Sequence, residues 1–154
     1  MREQSIERYS HIMHLVSQVE GRLRPDPLAA GPLILLAHPS VPAKTVRELI
    51  TLARAKPGRL NYSTGGSGTT SHFGMELFKS RAKINVTHVP YPGGGPAILA
   101  ILSNATHVGS VNILGLMQHV NSGAIRVLVQ TGTERWSELP NVPTLAEAGF
   151  PGTE

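Results

Sequence analysis

Two glycine-rich stretches carry the residues best suited to chemistry in this sequence. The first runs from Gly65 to Thr70 as Gly-Gly-Ser-Gly-Thr-Thr, and the second is Gly93-Gly94-Gly95, followed by Pro96. Glycine lets the backbone approach a ligand closely, and a helix that begins at such a loop offers unpaired amides and the positive end of its dipole. Loops of this kind are suited to holding a small carboxylate or phosphate.

Side chains near the loops extend the candidate site. Ser67, Thr69 and Thr70 add hydroxyls that can donate to an anion. His72, one turn after the first loop, could donate to a bound anion or form a hydrogen bond with its own loop, and both interpretations stay open. From the residues alone, the expected ligand contacts are Thr64, Gly65, Ser67, Gly68, Thr69, Thr70, His72, Gly93, Gly94 and Gly95.

The alternatives for these loops are weaker or less specific. Each loop could be only a tight turn before a capped helix. The phosphate-loop pattern fails because Gly68 is followed by Thr69 instead of Lys. A dinucleotide-binding fold would need an acidic residue at the end of the next strand, and the sequence has none there. Ser67 resembles a nucleophile elbow, but Thr69 occupies the place of its final glycine. A serine hydrolase is therefore a remote alternative.

The supply of acid, base and metal-binding groups is thin. The single aspartate, Asp26, lies between two prolines, whereas catalytic triads and Mg²⁺ sites draw on Asp held by rigid elements. The absence of cysteine excludes disulfides and thiolate chemistry. His11 and His14 have weak metal spacing without a nearby third ligand. We expect no enzyme, no metal site and no cofactor.

Composition places the chain among ordinary globular domains. Its 154 residues are enough for one domain with its own core, and the net charge is +4. A cluster of basic residues around one predicted helix is interpreted as a solvated face, so no nucleic-acid partner is expected; its members are Lys44, Arg47, Arg54, Lys56 and Arg59. No apolar run reaches the roughly 18 residues of a membrane span. The N-terminus lacks the pattern of a secretory signal, so the sequence as given predicts no export.

Hydrophobic periodicity predicts an α/β domain in which strands alternate with helices. Strands are expected at 33–37, 60–64, 86–89, 108–112 and 125–130, with helices between them and a short helix at 144–148. This order argues for a mostly parallel sheet flanked by helices, with ligands at the carboxyl ends of the strands. An amphipathic helix and a Pro-rich linker are expected in residues 1–31, and the α/β lobe in residues 32–154.

Three local signals sharpen the predicted helices. Thr45 and Glu48 form a capping box, and Pro96 is expected at the favoured first position of its helix. The helix after the first glycine-rich loop is expected to direct Phe73, Leu77 and Phe78 toward the core.

Four motifs, in order, resemble the substrate-binding proteins of tripartite tricarboxylate transporters, the Bug family. They are Pro39–Val46, Leu60–Ser63 with the Gly-Ser-Gly loop and His72, His88–Pro96, and Leu139–Gly149. The resemblance covers roughly residues 32 to 154, mainly the second lobe of the family's receptor. It implies a periplasmic-binding-protein-like lobe of a periplasmic receptor that closes over a small carboxylate and delivers it to membrane permease subunits. It also implies that Asn112 joins the ligand site.

The chain departs from the family in several places. Most of the first lobe, the export signal and the last segment are unmatched, and where the family often shows Gly-Gly-x-x-Asp this chain ends the motif with His107. Two alternatives to a binding lobe therefore stay open: a truncated remnant that binds nothing, and an interaction module. An uncovered lobe face would favour self-association.

Overall fold

The computed structural model describes residues 33–113 and 116–151, so the expected N-terminal helix and the pair His11 and His14 lie outside the described residues. In chain order the elements are β1 (Leu33–Ala37), α1 (Val46–Ala55), β2 (Asn61–Thr64), α2 (Thr70–Ala82), β3 (Thr87–Pro90), α3 (Gly94–Leu102), β4 (Val108–Asn112), α4 (Met117–Asn121) and β5 (Arg126–Gln130). The predicted alternation of strands and helices over these residues is confirmed.

The five described strands form one mixed sheet in the order β3-β2-β4-β1-β5. Strand β2 pairs in parallel with β3 and β4, whereas β1 runs antiparallel to β4 and β5. Four strands therefore point the same way, as the mostly parallel prediction requires, and β1 runs against them. Its apolar sequence predicts coverage of both faces but not direction. The ends of β2, β3, β4 and β5, at Thr64, Pro90, Asn112 and Gln130, define what we call the carboxyl edge.

Helices cover both faces of the sheet, and β1 contributes to both cores. Leu35 and Ala37 belong to the apolar cluster under α1 and α2, whereas Ile34 and Leu36 belong to the cluster under α3 and α4. Successive side chains of a strand point to opposite faces, so a strand covered on both sides is apolar throughout. Among the described residues no helix has the length and apolarity to cross a bilayer.

The helix starts follow the capping signals with one correction. Helix α1 begins as predicted: the Thr45 hydroxyl accepts a hydrogen bond from the Glu48 amide at 3.2 Å. Helix α3 begins at Gly94, so Pro96 is its third residue and not its first. This is sterically acceptable because the first amides of a helix have no intrahelical partner, and the missing N–H of proline costs nothing there.

Helix α2 presents a different stripe from the one expected. Its buried residues are Ser71, Met75, Phe78 and Ala82, which repeat at spacings of four and three. Phe78 is confirmed as a core residue, whereas Phe73 and Leu77 flank the stripe and are only partly buried. The helix has little contrast between apolar and polar faces, so the sheet beneath it selects the stripe.

The expected helix at 144–148 is a series of turns. Its start carries the reciprocal capping pair, since the Glu147 amide donates to the Thr144 hydroxyl at 3.2 Å and the Thr144 amide to the Glu147 carboxylate at 2.8 Å. Gly149, at φ +100°, ends the segment before a second helical turn is complete. The predicted helix was therefore wrong, although its first turn carries a capping pair.

Gln130 fastens the segment after β5 to the edge of the sheet. Its side chain is fully buried and donates to the carbonyls of Leu139 at 3.1 Å and Val142 at 2.7 Å. Its side-chain oxygen accepts from the Trp136 amide at 2.8 Å, and its backbone carbonyl accepts from the Leu145 amide at 3.0 Å. The segment thus covers an edge that would otherwise expose unpaired backbone groups.

We expect Gln130→Leu to destabilise the protein, because it leaves two buried carbonyls and one amide without their side-chain partner. Each unsatisfied group costs about 1–3 kcal/mol. The measurement is the free energy of unfolding in urea. The matched control is Gln118→Leu on the exposed face of α4, which should change it by less than about 0.5 kcal/mol. Equal effects of the two substitutions would contradict the role assigned to Gln130.

Gly109 in β4 has no room for a side chain. A Cβ there would lie 2.1 Å from Cδ1 of Ile101 and 3.2 Å from the Ser63 hydroxyl. We expect Gly109→Ala to cost about 1–3 kcal/mol of unfolding free energy through overpacking. Ile101→Val removes the clashing Cδ1, so the alanine should cost less in that background. Gly95→Ala, whose Cβ would meet nothing within 4 Å, should cost nothing, and a comparable loss there would refute the steric account.

Candidate functional site

The two glycine-rich loops meet at the carboxyl edge. Because β2 and β3 are parallel neighbours, their following loops leave the sheet side by side. The Gly93 amide donates to the Gly65 carbonyl at 3.1 Å, and the Tyr91 amide donates to the Thr64 carbonyl at 3.0 Å. A Cβ at Gly65 would lie only 3.2 Å from backbone atoms of Gly93 and Gly94. Glycine at position 65 therefore permits the backbone contact between the loops.

The first loop is held in shape by its own hydroxyls. The Thr64 hydroxyl accepts from the Gly66 amide at 3.3 Å and lies 3.1 Å from the Gly66 carbonyl, and the Thr69 hydroxyl donates to that carbonyl at 2.8 Å. Ser67 and Thr70 are exposed. Of the hydroxyls expected to contact a ligand, those of Thr64 and Thr69 thus bind the loop itself.

His72 forms the local hydrogen bond that was one of its two interpretations. The Gly68 amide donates to Nδ1 of His72 at 3.1 Å. A backbone N–H can only donate, so Nδ1 is the unprotonated nitrogen and the proton of the neutral ring lies on Nε2. The His72 amide in turn donates to the Thr69 hydroxyl at 3.4 Å, which caps α2.

The start of α3 is the more open of the two helix ends. Its N-cap, Gly93, has φ +108° and provides no side-chain cap, unlike Thr69 at the start of α2. Gly94 and Gly95 are exposed, and a Cβ at either would meet nothing within 4 Å. The first-turn amides of α3 have no intrahelical partner and carry the positive end of the helix dipole. The backbone of Gly94 and Gly95 is therefore exposed and open on the side where a Cβ would lie.

Asn112 ends β4 at the same edge, next to β2. The register pairs Asn112 with Leu33 across the β4–β1 boundary, and Asn112 is half-buried. The order β3-β2-β4 therefore sets the strand ends at Pro90, Thr64 and Asn112 side by side, with the glycine-rich loops over the first two.

Sequence reasoning missed a stack of rings beneath the first loop, which we call the ring column (Tyr62, His72 and His88). The centroids of His72 and His88 are 4.0 Å apart with an interplanar angle of 11°, and those of His88 and Tyr62 are 4.8 Å apart at 26°. Nε2 of His88 lies 2.7 Å from the Thr64 hydroxyl. The column thus joins α2, β3 and β2 to the residue from which the loop starts.

Charges at the foot of the column are paired. Glu76 accepts hydrogen bonds from the Tyr62 hydroxyl and the Lys79 ammonium, each at 2.6 Å. Burial would raise the pKa of Glu76, but the hydrogen bonds from Lys79 and Tyr62 hold that pKa below its usual value. Burial lowers the pKa of His88, and the neighbouring His72 lowers it further. Both effects disfavour the protonated form of His88. In the described part of the chain no three His, Cys, Asp or Glu side chains group as metal ligands would.

His107 lies at the other end of the sheet, away from the glycine-rich loops. Its Nδ1 accepts from the Asn61 amide at 3.2 Å, and its own amide donates to the Asn61 side chain at 2.9 Å. It lines a groove of about 730 Å³ with Lys56 and Arg59. The departure from the family pattern at this position is therefore separate from the candidate ligand site.

This chain is similar in sequence to a known protein family and to proteins of known sequence. The family described as tripartite tricarboxylate transporter family receptor matches residues 19–154. Protein BugT of Bordetella pertussis is 31% identical over 120 residues, which are 78% of this chain and 37% of that protein.

Two solved structures are also similar to this chain. R. palustris Rpa4515 with adipate is 36% identical with a TM-score of 0.76, and the match covers 79% of this chain and 40% of that one. MatC (Rpa3494) from Rhodopseudomonas palustris with bound malate is 29% identical with a TM-score of 0.75, over 80% and 42%. The chain thus spans about two fifths of the length of these relatives.

Stability should fall on acidification because of His88. Its pKa in the folded protein lies below the ordinary 6.5, so the unfolded chain takes up the proton first. This contribution is intact above about pH 6.5 and is lost as the pH falls toward the folded-state pKa. We expect the melting temperature to drop between pH 7.5 and 5.5, and to drop less in His88→Gln, which can still bond the Thr64 hydroxyl. An identical drop in both proteins would show that His88 is not the cause.

Proposed function

Since the chain belongs to the tripartite tricarboxylate transporter receptor family, we propose that residues 32–154 form a receptor lobe that binds a small carboxylate at the carboxyl edge. The lobe has the periplasmic-binding-protein-like fold of the family, with a mixed α/β sheet between helices. The ligand site consists of the two glycine-rich loops, Ser67, Thr70 and Asn112.

The observation that carries this proposal is the open start of α3 against the first loop. A carboxylate placed there would accept hydrogen bonds from the amides of Gly94 and Gly95 and would lie at the positive end of the helix dipole. Hydrogen bonds to a charged group contribute about 1.5–3 kcal/mol each. The start of α2 is already capped by Thr69, so it contributes less to ligand binding in this conformation.

The ligands seen in similar structures support a small dicarboxylate. Rpa4515 was solved with adipate and MatC with malate, and each of these ligands has two carboxylates on a short chain. One carboxylate at α3 leaves the second to be held elsewhere in the complete receptor. We therefore use malate and adipate as probes.

We further propose that the complete receptor is periplasmic, delivers its ligand to membrane permease subunits and catalyses no reaction. The receptor family supports transport, and the site supports binding over catalysis. A serine hydrolase would need a base for Ser67, but Nδ1 of His72 already accepts the Gly68 amide. The side chains of the two loops offer hydroxyl groups as donors, which suits reversible binding.

Removing one amide of α3 tests the proposal. Gly94→Pro deletes the N–H at the first helical position, where proline is favoured, and leaves in place the glycine that adopts φ +108° at position 93. We expect Gly94→Pro to weaken malate or adipate binding about tenfold or more, because a hydrogen bond to a charged group is lost. The measurement is a ¹H–¹⁵N NMR titration, which detects millimolar binding.

The matched control is Gly94→Ala, which keeps the amide and adds a Cβ that meets nothing within 4 Å. It should bind within about threefold of the parent, a difference of roughly 0.6 kcal/mol. Absence of shift changes in the parent chain at high ligand concentration would favour the non-binding remnant. Equal weakening by proline and alanine would contradict the role of the amide.

A further inference from the structure

We propose that His72 is a positioning residue of the ligand site, which holds the first loop closed through Gly68 while the ring is neutral and releases it when the ring is protonated. The inference rests on the proposed function, because it concerns the affinity of that same site. It gives His72 a role different from that of a direct ligand contact.

The hydrogen bond between Gly68 and His72 is the basis of this inference. The Gly68 amide donates to Nδ1 at 3.1 Å, so this amide cannot also donate to a ligand. Protonated imidazole has two N–H donors and no acceptor, so it cannot keep this bond. Gly68 is exposed, has the positive φ of +80° that glycine adopts readily, and has no atom within 4 Å of the place of a Cβ, so its peptide has room to reorient. Protonation would therefore release the Gly68 amide, which could then donate to an anion.

Protonation is disfavoured at His88, the ring stacked on His72. The two rings are stacked at 4.0 Å, so a proton on one opposes a proton on the other. His88 is the ring whose nitrogen is engaged by the Thr64 hydroxyl, and burial lowers its pKa. His72 is one helical turn from Glu76, whose carboxylate stabilises a positive charge there.

The other groups packed around the two rings and Glu76 are Lys79, Tyr62 and Phe73. Lys79 is the cation nearest to Glu76, and its ammonium is bound to that carboxylate at 2.6 Å. The Tyr62 hydroxyl donates to the same carboxylate oxygen. The hydrogen bonds from Lys79 and Tyr62 hold the pKa of Glu76 below its usual value. Phe73 stacks on His72 itself, with ring centroids 5.9 Å apart. The charged groups near His72 are therefore the Glu76 carboxylate and the Lys79 ammonium that is paired with it.

The consequence for function is a site whose affinity for an anion rises as the pH falls. By linkage, a bound anion would favour the protonated ring by the same factor. A structural role for His72 without proton linkage would not produce this pH profile.

The first test is made on the ligand-free chain and follows the Gly68 amide by NMR at pH 8.0 and 6.0. We expect its chemical shift to change and its hydrogen-exchange protection factor to decrease at the lower pH. His72→Asn keeps a hydrogen-bond acceptor near the position of Nδ1 but does not titrate, so in that variant the Gly68 amide should be insensitive to pH. His88→Gln should retain the response of the parent. A Gly68 amide that is unaffected by pH in the parent would overturn the proposal.

The second test measures malate affinity at the same two pH values. The parent should bind malate at least about threefold more tightly at pH 6.0, which corresponds to roughly 0.6 kcal/mol, and His72→Asn should show no such gain. Equal affinity of the parent at both pH values, with the Gly68 amide still released, would refute the role of His72 in binding and leave the proposed function intact. Absence of malate binding at both pH values would refute the proposed function itself, and the pH response of Gly68 would then concern the loop alone.

Discussion

The backbones of Gly65 and Gly93 approach each other closely at the end of two parallel strands, and the candidate site depends on this contact. The Gly93 amide donates to the Gly65 carbonyl, and any side chain at position 65 would press on the backbone of Gly93 and Gly94. The contact sets the start of α3 beside the first loop. In the proposed site, backbone amides would meet the charge of a small anion.

Both loops are rich in glycine, but they have different tasks. The first is closed on itself, because Thr64, Thr69 and His72 use its amides and carbonyls. The second begins a helix without a side-chain cap. In the proposed site, the start of α3 would provide rigid hydrogen-bond donors, and the first loop would provide donors that depend on its conformation. Rigid donors reduce the entropy cost of binding, and adjustable ones make affinity dependent on conditions.

The ring column and the hydrogen bonds of Gln130 stabilise the two edges of the sheet by different means. At the β3 edge, stacked rings and the Glu76–Lys79 pair close the surface beside the first loop. At the β5 edge, Gln130 satisfies buried backbone groups of the following segment. The stacking of His72 on His88 and the bonds from Gln130 to Leu139 and Val142 depend on how separate segments meet, so periodicity does not predict them. The signal that could have indicated the role of Gln130 is an amide side chain directly after the apolar run Val127–Val129.

Local patterns in the sequence determined the five described strands, the helices between them, the capping at Thr45 and the two loops at the carboxyl edge, because these depend on neighbours a few residues apart. The same patterns identified the receptor family. Only the tertiary structure decided the antiparallel direction of β1, the buried stripe of α2 and the partner of His72. These depend on which surfaces meet when the sheet assembles, and hydrophobic periodicity carries no information on strand direction or on contacts between distant side chains.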